Sequence, residues 1–222
     1  MNKLTALDRA YDMAEPVVFA ATPDTYDHPT PCTAWDVRTL LNHLIRVIDQ
    51  FPVVLAGSKA DWAGTAFTDD PAQAFRSAVA ANLAAWRKPG ALDTPGRLPG
   101  TYWVDINLTD TVMHTWDLAQ AIDHNLVVDK ELVAFVLETC TDATFLRDRG
   151  RAFGPAVAVN ADAAPIDRLA GLLGRQPVWR STFRESLATA TFSMQPEFFR
   201  WHRLRPSRQQ RMMRSPCCQV RV

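Results

Sequence analysis

Residues 108–122 carry three side chains whose types and spacing suit the binding of a cation. At 100° per residue of an α-helix, Asp110, His114 and Asp117 fall within one narrow stripe. The rest of the circumference is mostly apolar, which is typical of a buried helix. Buried carboxylates and imidazoles are costly unless they are paired, hydrogen-bonded or bound to a metal. An acid and a histidine four residues apart project in the same direction, so Asp110 and His114 suit two ligands of one metal ion.

His43 and His114 are the two histidines that the helical pattern places on core helices; the other three fall in predicted loops or near the C-terminus. Two bundle helices that point histidines and carboxylates inward can together form a metal site. Three protein ligands with an open position would suit a catalytic centre better than a closed structural one. Two other interpretations stay open: a structural, hydrogen-bonded His43, and a simple intrahelical pair of Asp110 with His114. Asp117 could orient His114 instead of binding the metal itself.

Other chemistries have weaker support in the sequence. It contains no glycine-rich phosphate loop, no Gly-x-Ser-x-Gly elbow and no CxxC pair. Four cysteines form no recognisable metal or disulfide framework, so we expect reduced thiols and a cytoplasmic protein. Cys32, just before the second predicted helix, is either a thiolate favoured by the helix dipole or a small packed residue. We expect no membrane association, because no apolar run reaches the roughly 18–20 residues of a membrane span and the N-terminus lacks a signal-peptide pattern.

The charges divide the chain into two parts. Acidic and basic residues are equal in number, 24 each, but residues 180–222 contain nine Arg and only two Glu. The body of the chain, residues 1–179, is therefore acidic overall, and we predict a loosely ordered basic tail over residues 180–222. Residues 198–205 of the tail mix aromatic and arginine residues, which could indicate nucleic acid or an anionic surface as partner. We favour a solvated extension and expect no nucleic-acid partner.

The hydrophobic spacing predicts an all-α protein. Apolar residues recur at helical intervals in five long segments and one short one, separated by loops rich in proline and glycine. The predicted helices cover residues 4–21, 34–56, 71–86, 104–123, 129–147 and 165–173. Thr33 is predicted as the N-cap of the second helix, with Asp36 three residues later. Almost no strand pattern is present, so a helical bundle is expected.

Several segments, taken together and in order, resemble a known family. Residues 31–44 read PCTAWDVRTLLNHL and residues 112–119 read VMHTWDLA. Both resemble signatures of the mycothiol-dependent maleylpyruvate isomerase-like proteins, which belong to the DinB-like metal-binding superfamily. Residues 153–157, 161–169 and 172–175 resemble the closing segment of one branch of that family.

The resemblance ends at about residue 179. It therefore implies a metal-binding domain over residues 1–179, a DinB-like four-helix bundle with an extra helix and a short C-terminal extension. It also implies one divalent metal ion, held by a histidine of the second helix and a Glu-x-x-x-His pair of a later helix. These positions fall on His43, Asp110 and His114, with Asp110 standing where Glu is usual. Two imidazoles and a carboxylate suit zinc, and nickel, iron or manganese fit the same ligand types.

In characterised relatives the metal activates a low-molecular-weight thiol such as mycothiol. The resemblance therefore implies a small-molecule thiol cosubstrate and a small electrophile as partners, with S-transferase or cis–trans isomerase activity. One alternative is a catalytically silent metal-binding or regulatory bundle. Another is a purely structural bundle. The sequence leaves the electrophile, the thiol, the metal and the oligomeric state open.

Overall fold

The computed structural model describes residues 1–33, 35–62, 70–94, 99–142 and 153–179. Within these ranges all regular elements are helical, apart from one isolated bridge between Pro29 and Asp36. The α-helices are α1 (Lys3–Ala20), α2 (Val37–Leu55), α3 (Pro71–Trp86), α4 (Gly100–Ala121), α5 (Lys130–Cys140) and α6 (Pro165–Leu172). The all-α prediction is confirmed. The predicted tail, residues 180–222, lies outside the described residues, so the division into two parts stays a prediction.

Helices α1 to α4 form a closed ring of four. α1 packs against α3 and α4, and α2 packs against the same two helices, so each helix has two neighbours. This is the arrangement of the predicted DinB-like four-helix bundle. α5 packs against α4 and α1, and α6 packs against α5, which places the extra helices beside the bundle.

The core is built around α4, whose circumference is mostly apolar apart from the stripe of Asp110, His114 and Asp117. All of its residues from Asn107 to Ala119 are buried, polar ones included. An aromatic cluster fills the bundle at one end of the core, with Phe51 of α2 in contact with Trp62, Trp86 and Trp103. Because such aromatic side chains bury large apolar areas, they fix α2, α3 and α4 relative to each other.

The start of α2 differs from the prediction. The helix begins at Val37, and its N-cap is Asp36, whose Oδ1 accepts a 2.8 Å hydrogen bond from the Thr39 N–H. Thr33 is exposed and lies within a turn, which the hydrogen bond from the Trp35 N–H to the Cys32 carbonyl closes. The physical reason lies in contacts with an earlier loop: the Val37 N–H donates to the His28 carbonyl, which holds residue 36 in an extended conformation.

Helix α4 begins at Gly100, four residues before its predicted start. A Cβ at Gly100 would lie 2.2 Å from the carbonyl oxygen of Ala91, so the helix can start here only because the residue is glycine. The sequence pattern gave the opposite prediction, because a segment with three prolines and three glycines is typical of a loop.

Helix α5 ends at Cys140, earlier than predicted. The Oγ1 hydroxyl of Thr141 donates to the carbonyl of Glu138 at 2.7 Å, which satisfies one of the last helical carbonyls. The predicted continuation over residues 143–147 lies outside the described residues.

The thiol prediction is wrong for Cys32. Cys32 is fully buried and disulfide-bonded, so it is not a free thiolate. A disulfide is uncommon in a reducing cytoplasm, and the cytoplasmic location stays a prediction. Among the described residues, no helix is long and apolar enough to cross a bilayer.

Candidate metal centre

The fold brings the three predicted ligands together inside the bundle. His43 comes from α2, and Asp110 and His114 lie one turn apart on α4. The Nε2 atom of His43 is 3.5 Å from Oδ2 of Asp110, and the Nε2 atom of His114 is 3.4 Å from Oδ1 of Asp110. One ligand atom from each residue can be chosen so that all three lie within 4.8 Å of each other. A set of two imidazoles and one carboxylate has the donor types of zinc and related divalent metals.

The spacing of these atoms fits a shared cation. Two ligand atoms bound to a tetrahedral zinc at about 2.0–2.1 Å lie about 3.3–3.4 Å apart. The observed separations of 3.4 and 3.5 Å, each to a different oxygen of Asp110, are close to that value. In addition, Nε2 of His43 and Oδ2 of Asp110 are buried polar atoms without a hydrogen-bond partner. Such atoms are costly unless something satisfies them, and one cation would satisfy both.

The same distances argue against a simple ion pair. A charge-assisted hydrogen bond between an imidazolium and a carboxylate is about 2.7–2.9 Å long. Asp110 lies between two imidazoles and reaches that distance with neither. The arrangement of His43, Asp110 and His114 therefore suits three ligands around a common point better than an isolated Asp–His pair.

Trp35 forms one wall of this site. Its ring centroid lies 4.4 Å from that of His43 and 5.6 Å from that of His114, and the two imidazoles are 4.9 Å apart nearly at right angles. Because the indole is packed against both rings, it limits their rotation and keeps water from that side. The side chain of His43 is 10% exposed and that of His114 only 1%, so His114 lies deeper in the bundle than His43.

Asp117 contacts the ring nitrogen of His114 that points away from Asp110, in the orienting role that the sequence suggested. Its Oδ2 lies 3.0 Å from Nδ1 of His114, and the carboxylate is completely buried. A proton on Nδ1, donated to Asp117, leaves the lone pair of Nε2 directed toward Asp110. This is the tautomer that a metal-binding histidine needs, and metal ligands of this type commonly donate to a carboxylate.

The electrostatics of the site are dominated by close opposite charges. Burial lowers the pKa of His114, but the carboxylates of Asp110 and Asp117 outweigh it and raise that pKa to about 9. Burial raises the pKa of Asp110, whereas His114 and His43 together hold it well below its usual range. For His43, burial is the larger effect and lowers its pKa. The site is thus strongly attractive to positive charge.

Arg175 is a residue of this site to which the sequence analysis gave no role. It lies beyond α6 and is 1% exposed, and its Nη2 donates to Oδ2 of Asp117 at 2.8 Å. The signal that could have found it is the resemblance of residues 172–175 to the closing segment of one family branch. Helical periodicity could not, because the pair joins positions 58 residues apart.

The family model of the mycothiol maleylpyruvate isomerase N-terminal domain matches residues 7–119. The chain belongs to this family. The matched region contains His43, Asp110, His114 and Asp117, and it ends well before Arg175. Members of this mycothiol-related family are DinB-like bundles, which agrees with the observed fold.

The chain is also similar to two uncharacterized proteins of Mycobacterium tuberculosis, one from strain CDC 1551 / Oshkosh and one from strain ATCC 25618 / H37Rv. Each is 27% identical over 190 residues, which cover 79% of this chain and 98% of the relative. No solved structure matches the chain significantly.

Proposed function

We propose that His43, Asp110 and His114 bind one divalent metal ion. The observation that carries this proposal is the pair of buried, unsatisfied atoms that face each other, Nε2 of His43 and Oδ2 of Asp110. Zinc is the first candidate because it readily takes two imidazoles and a carboxylate; nickel, iron and manganese accept the same donors.

We further propose that the site activates a low-molecular-weight thiol, with mycothiol as the first candidate. A bound divalent cation would lower the pKa of a coordinated thiol and so supply thiolate near neutral pH. Three protein donors leave coordination positions open for such a ligand. Trp35 would screen one side of the site from water, and Asp117 would keep His114 in the required tautomer.

The partner of the thiol is proposed to be a small electrophile with a conjugated double bond. Addition of the thiolate to this double bond forms a carbon–sulfur bond. The π electrons move toward the group with which the double bond is conjugated, such as a carbonyl. If the thiolate leaves after rotation about the former double bond, the net reaction is a cis–trans isomerisation. If a proton is taken up and the carbon–sulfur bond remains, the net reaction is an S-transfer. Family membership supports thiol chemistry of this kind and is compatible with either outcome.

A second candidate is a metal-binding bundle without catalytic activity. It is favoured by Asp110, which is one methylene shorter than the Glu expected at this position from the family resemblance. A shorter carboxylate must approach the metal differently or act through water, which changes the position of the metal relative to the open coordination position. Thiol activation, unlike metal binding alone, requires a compartment in which such thiols are kept reduced, and we propose that this compartment is the cytoplasm.

Cobalt-substituted protein separates the two candidates. We expect mycothiol to produce an intense near-ultraviolet absorption band, because a thiolate bound to cobalt gives a sulfur-to-metal charge-transfer transition. The S-methylated form of the same thiol is the matched control and should give no band. A catalytically silent bundle would bind cobalt but show no band with mycothiol, glutathione or cysteine, and that result would refute thiol activation.

A further inference from the structure

Arg175 is a fully buried arginine whose charge needs a specific reason to be inside the protein. Burial of a guanidinium is unfavourable unless it is paired with good geometry. Its Nε lies 3.2 and 3.3 Å from the two oxygens of Asp117, its Nη2 donates to Oδ2 at 2.8 Å, and its Nη1 donates to the Leu173 carbonyl at 2.9 Å. The planar guanidinium therefore contacts both oxygens of the Asp117 carboxylate. An arrangement of this kind fixes the position of a carboxylate as well as its charge.

The end of α6 is shaped to direct Arg175 inward. The Arg175 N–H donates to the Ala170 carbonyl at 2.8 Å, and the Gly174 N–H donates to the Gly171 carbonyl at 3.1 Å. Together with φ of +82° at Gly174, these two bonds form a Schellman motif. The reversal of the chain at this turn carries the next side chain toward α4.

The Asp117 carboxylate links Arg175 to His114. Its Oδ2 atom faces Nη2 of Arg175 and Nδ1 of His114 at once, at 2.8 and 3.0 Å. If the Asp117 carboxylate rotated away from the imidazole, it would lose its contact with His114 and its contact with Arg175. The orientation of the His114 ring, and hence the direction of Nε2, depends on a side chain outside the region matched by the family.

We propose that Arg175 is a positioning residue of the metal centre, acting through Asp117 on His114. On this view the segment from Pro165 to Arg175 completes the site that α2 and α4 begin. The inference rests on the proposed metal-binding function of His43, Asp110 and His114. The proposed ligands all lie on α2 and α4. Arg175, which follows α6, would nevertheless contribute to the metal affinity and to the geometry of the centre.

The test compares metal binding by the full-length chain and its variants. Arg175→Met keeps the length of the side chain and removes the guanidinium, whereas Arg175→Lys keeps the charge and removes the planar fork. Arg9→Met is the matched control, because Arg9 also makes a two-oxygen ion pair, with Asp129, and has no contact with the proposed ligands. Each protein is stripped of metal and then titrated with zinc against a competing chelator, and separately with cobalt to record its visible spectrum.

We expect Arg175→Met to raise the zinc Kd about tenfold to a hundredfold, the usual effect of losing a partner that orients a metal ligand. Its cobalt spectrum should shift, since the angle of one imidazole changes. Arg175→Lys should weaken zinc binding by a smaller factor, and Arg9→Met should leave both the Kd and the spectrum unchanged. A residue that serves only stability would lower the melting temperature without altering either metal readout of the folded protein.

An unchanged Kd and an unchanged cobalt spectrum in folded Arg175→Met would overturn the inference while leaving the metal site intact. If Arg175→Met does not fold, Arg175→Lys decides, and a wild-type Kd in that variant overturns the inference. If the wild-type protein itself binds neither zinc nor cobalt, the proposed metal function fails and the role of Arg175 fails with it.

Discussion

Substitution of Gly174 by alanine should destabilise the protein more than the same change at another glycine of similar backbone conformation. Gly174 has φ of +82° and Gly57 has φ of +73°, so both occupy the left-handed region that non-glycine residues avoid. Their surroundings differ. A Cβ at Gly57 would meet nothing within 4 Å, whereas a Cβ at Gly174 would lie 2.9 Å from the backbone atoms Cα and C of Gly154.

The expected magnitudes follow from this difference. A left-handed conformation costs an alanine about 1–2 kcal/mol, which applies at Gly57 and Gly174 alike. The new Cβ is fixed by the backbone of residue 174, and it would meet backbone atoms of Gly154. No side-chain rotation can therefore relieve the contact. Forcing atoms into a packed region costs about 1–3 kcal/mol more. We therefore expect Gly57→Ala to lose about 1–2 kcal/mol of unfolding free energy and Gly174→Ala about 2–5 kcal/mol.

The measurement is urea unfolding followed by tryptophan fluorescence. A lower midpoint with an unchanged slope reports lost stability and not a changed unfolded state. Gly174→Ala should also weaken zinc binding, because the turn that presents Arg175 must shift, whereas Gly57→Ala should bind zinc as the wild type does. Equal losses of unfolding free energy in the two variants would refute the reasoning about the contact with Gly154. Unchanged zinc binding by Gly174→Ala would show that the turn does not control the position of Arg175.

Three further predictions concern single residues. Asp36→Ala should lose about 1 kcal/mol of unfolding free energy, as is typical of a lost N-cap, whereas Thr33→Ala should lose almost none; equal losses in thermal unfolding would contradict the observed start of α2. Burial raises the pKa of Cys140 to about 12, so its thiol stays protonated at pH 8; peptide mapping after iodoacetamide treatment should find it labelled in urea and unlabelled in the native protein. Asp110→Asn keeps the side-chain shape but removes the charge, and isothermal titration should show a zinc Kd at least about tenfold higher, because even the loss of a partner that orients a ligand costs about tenfold to a hundredfold; wild-type affinity would exclude Asp110 as a ligand.

The helices, and the stripe that Asp110, His114 and Asp117 form on one of them, could be predicted from the sequence because both depend on local spacing. The 3.6-residue period places Asp110 and His114 on one line, and the apolar residues around them indicate that the line is buried. His43 required one more step, the assumption that two core helices meet. The structure brings these three side chains together, while their role as ligands is a proposal.

The missed features depend on contacts between distant segments. Thr33 has the sequence signature of an N-cap, but hydrogen bonds from residues 37 and 38 to the loop at residues 26–28 move the start of α2 to Val37. Gly100 starts α4 because of a close approach to Ala91, which no local pattern encodes. Arg175 meets Asp117 because α6 packs beside α5. Periodicity describes one element at a time and carries no information about such pairs.

The central claim is that His43, Asp110 and His114 bind a divalent metal ion. The most direct test is the metal content of the purified chain, measured by mass spectrometry of the elements after growth with added zinc. We expect close to one metal ion per chain in the wild type and in the control His124→Ala, whose histidine lies away from the three ligands in a groove beside Arg9. We expect almost none in the double variant with His43→Ala and His114→Ala. Absence of metal from the wild type after loading with zinc, nickel, iron or manganese, or full metal content in the double variant, would contradict metal binding by these three residues.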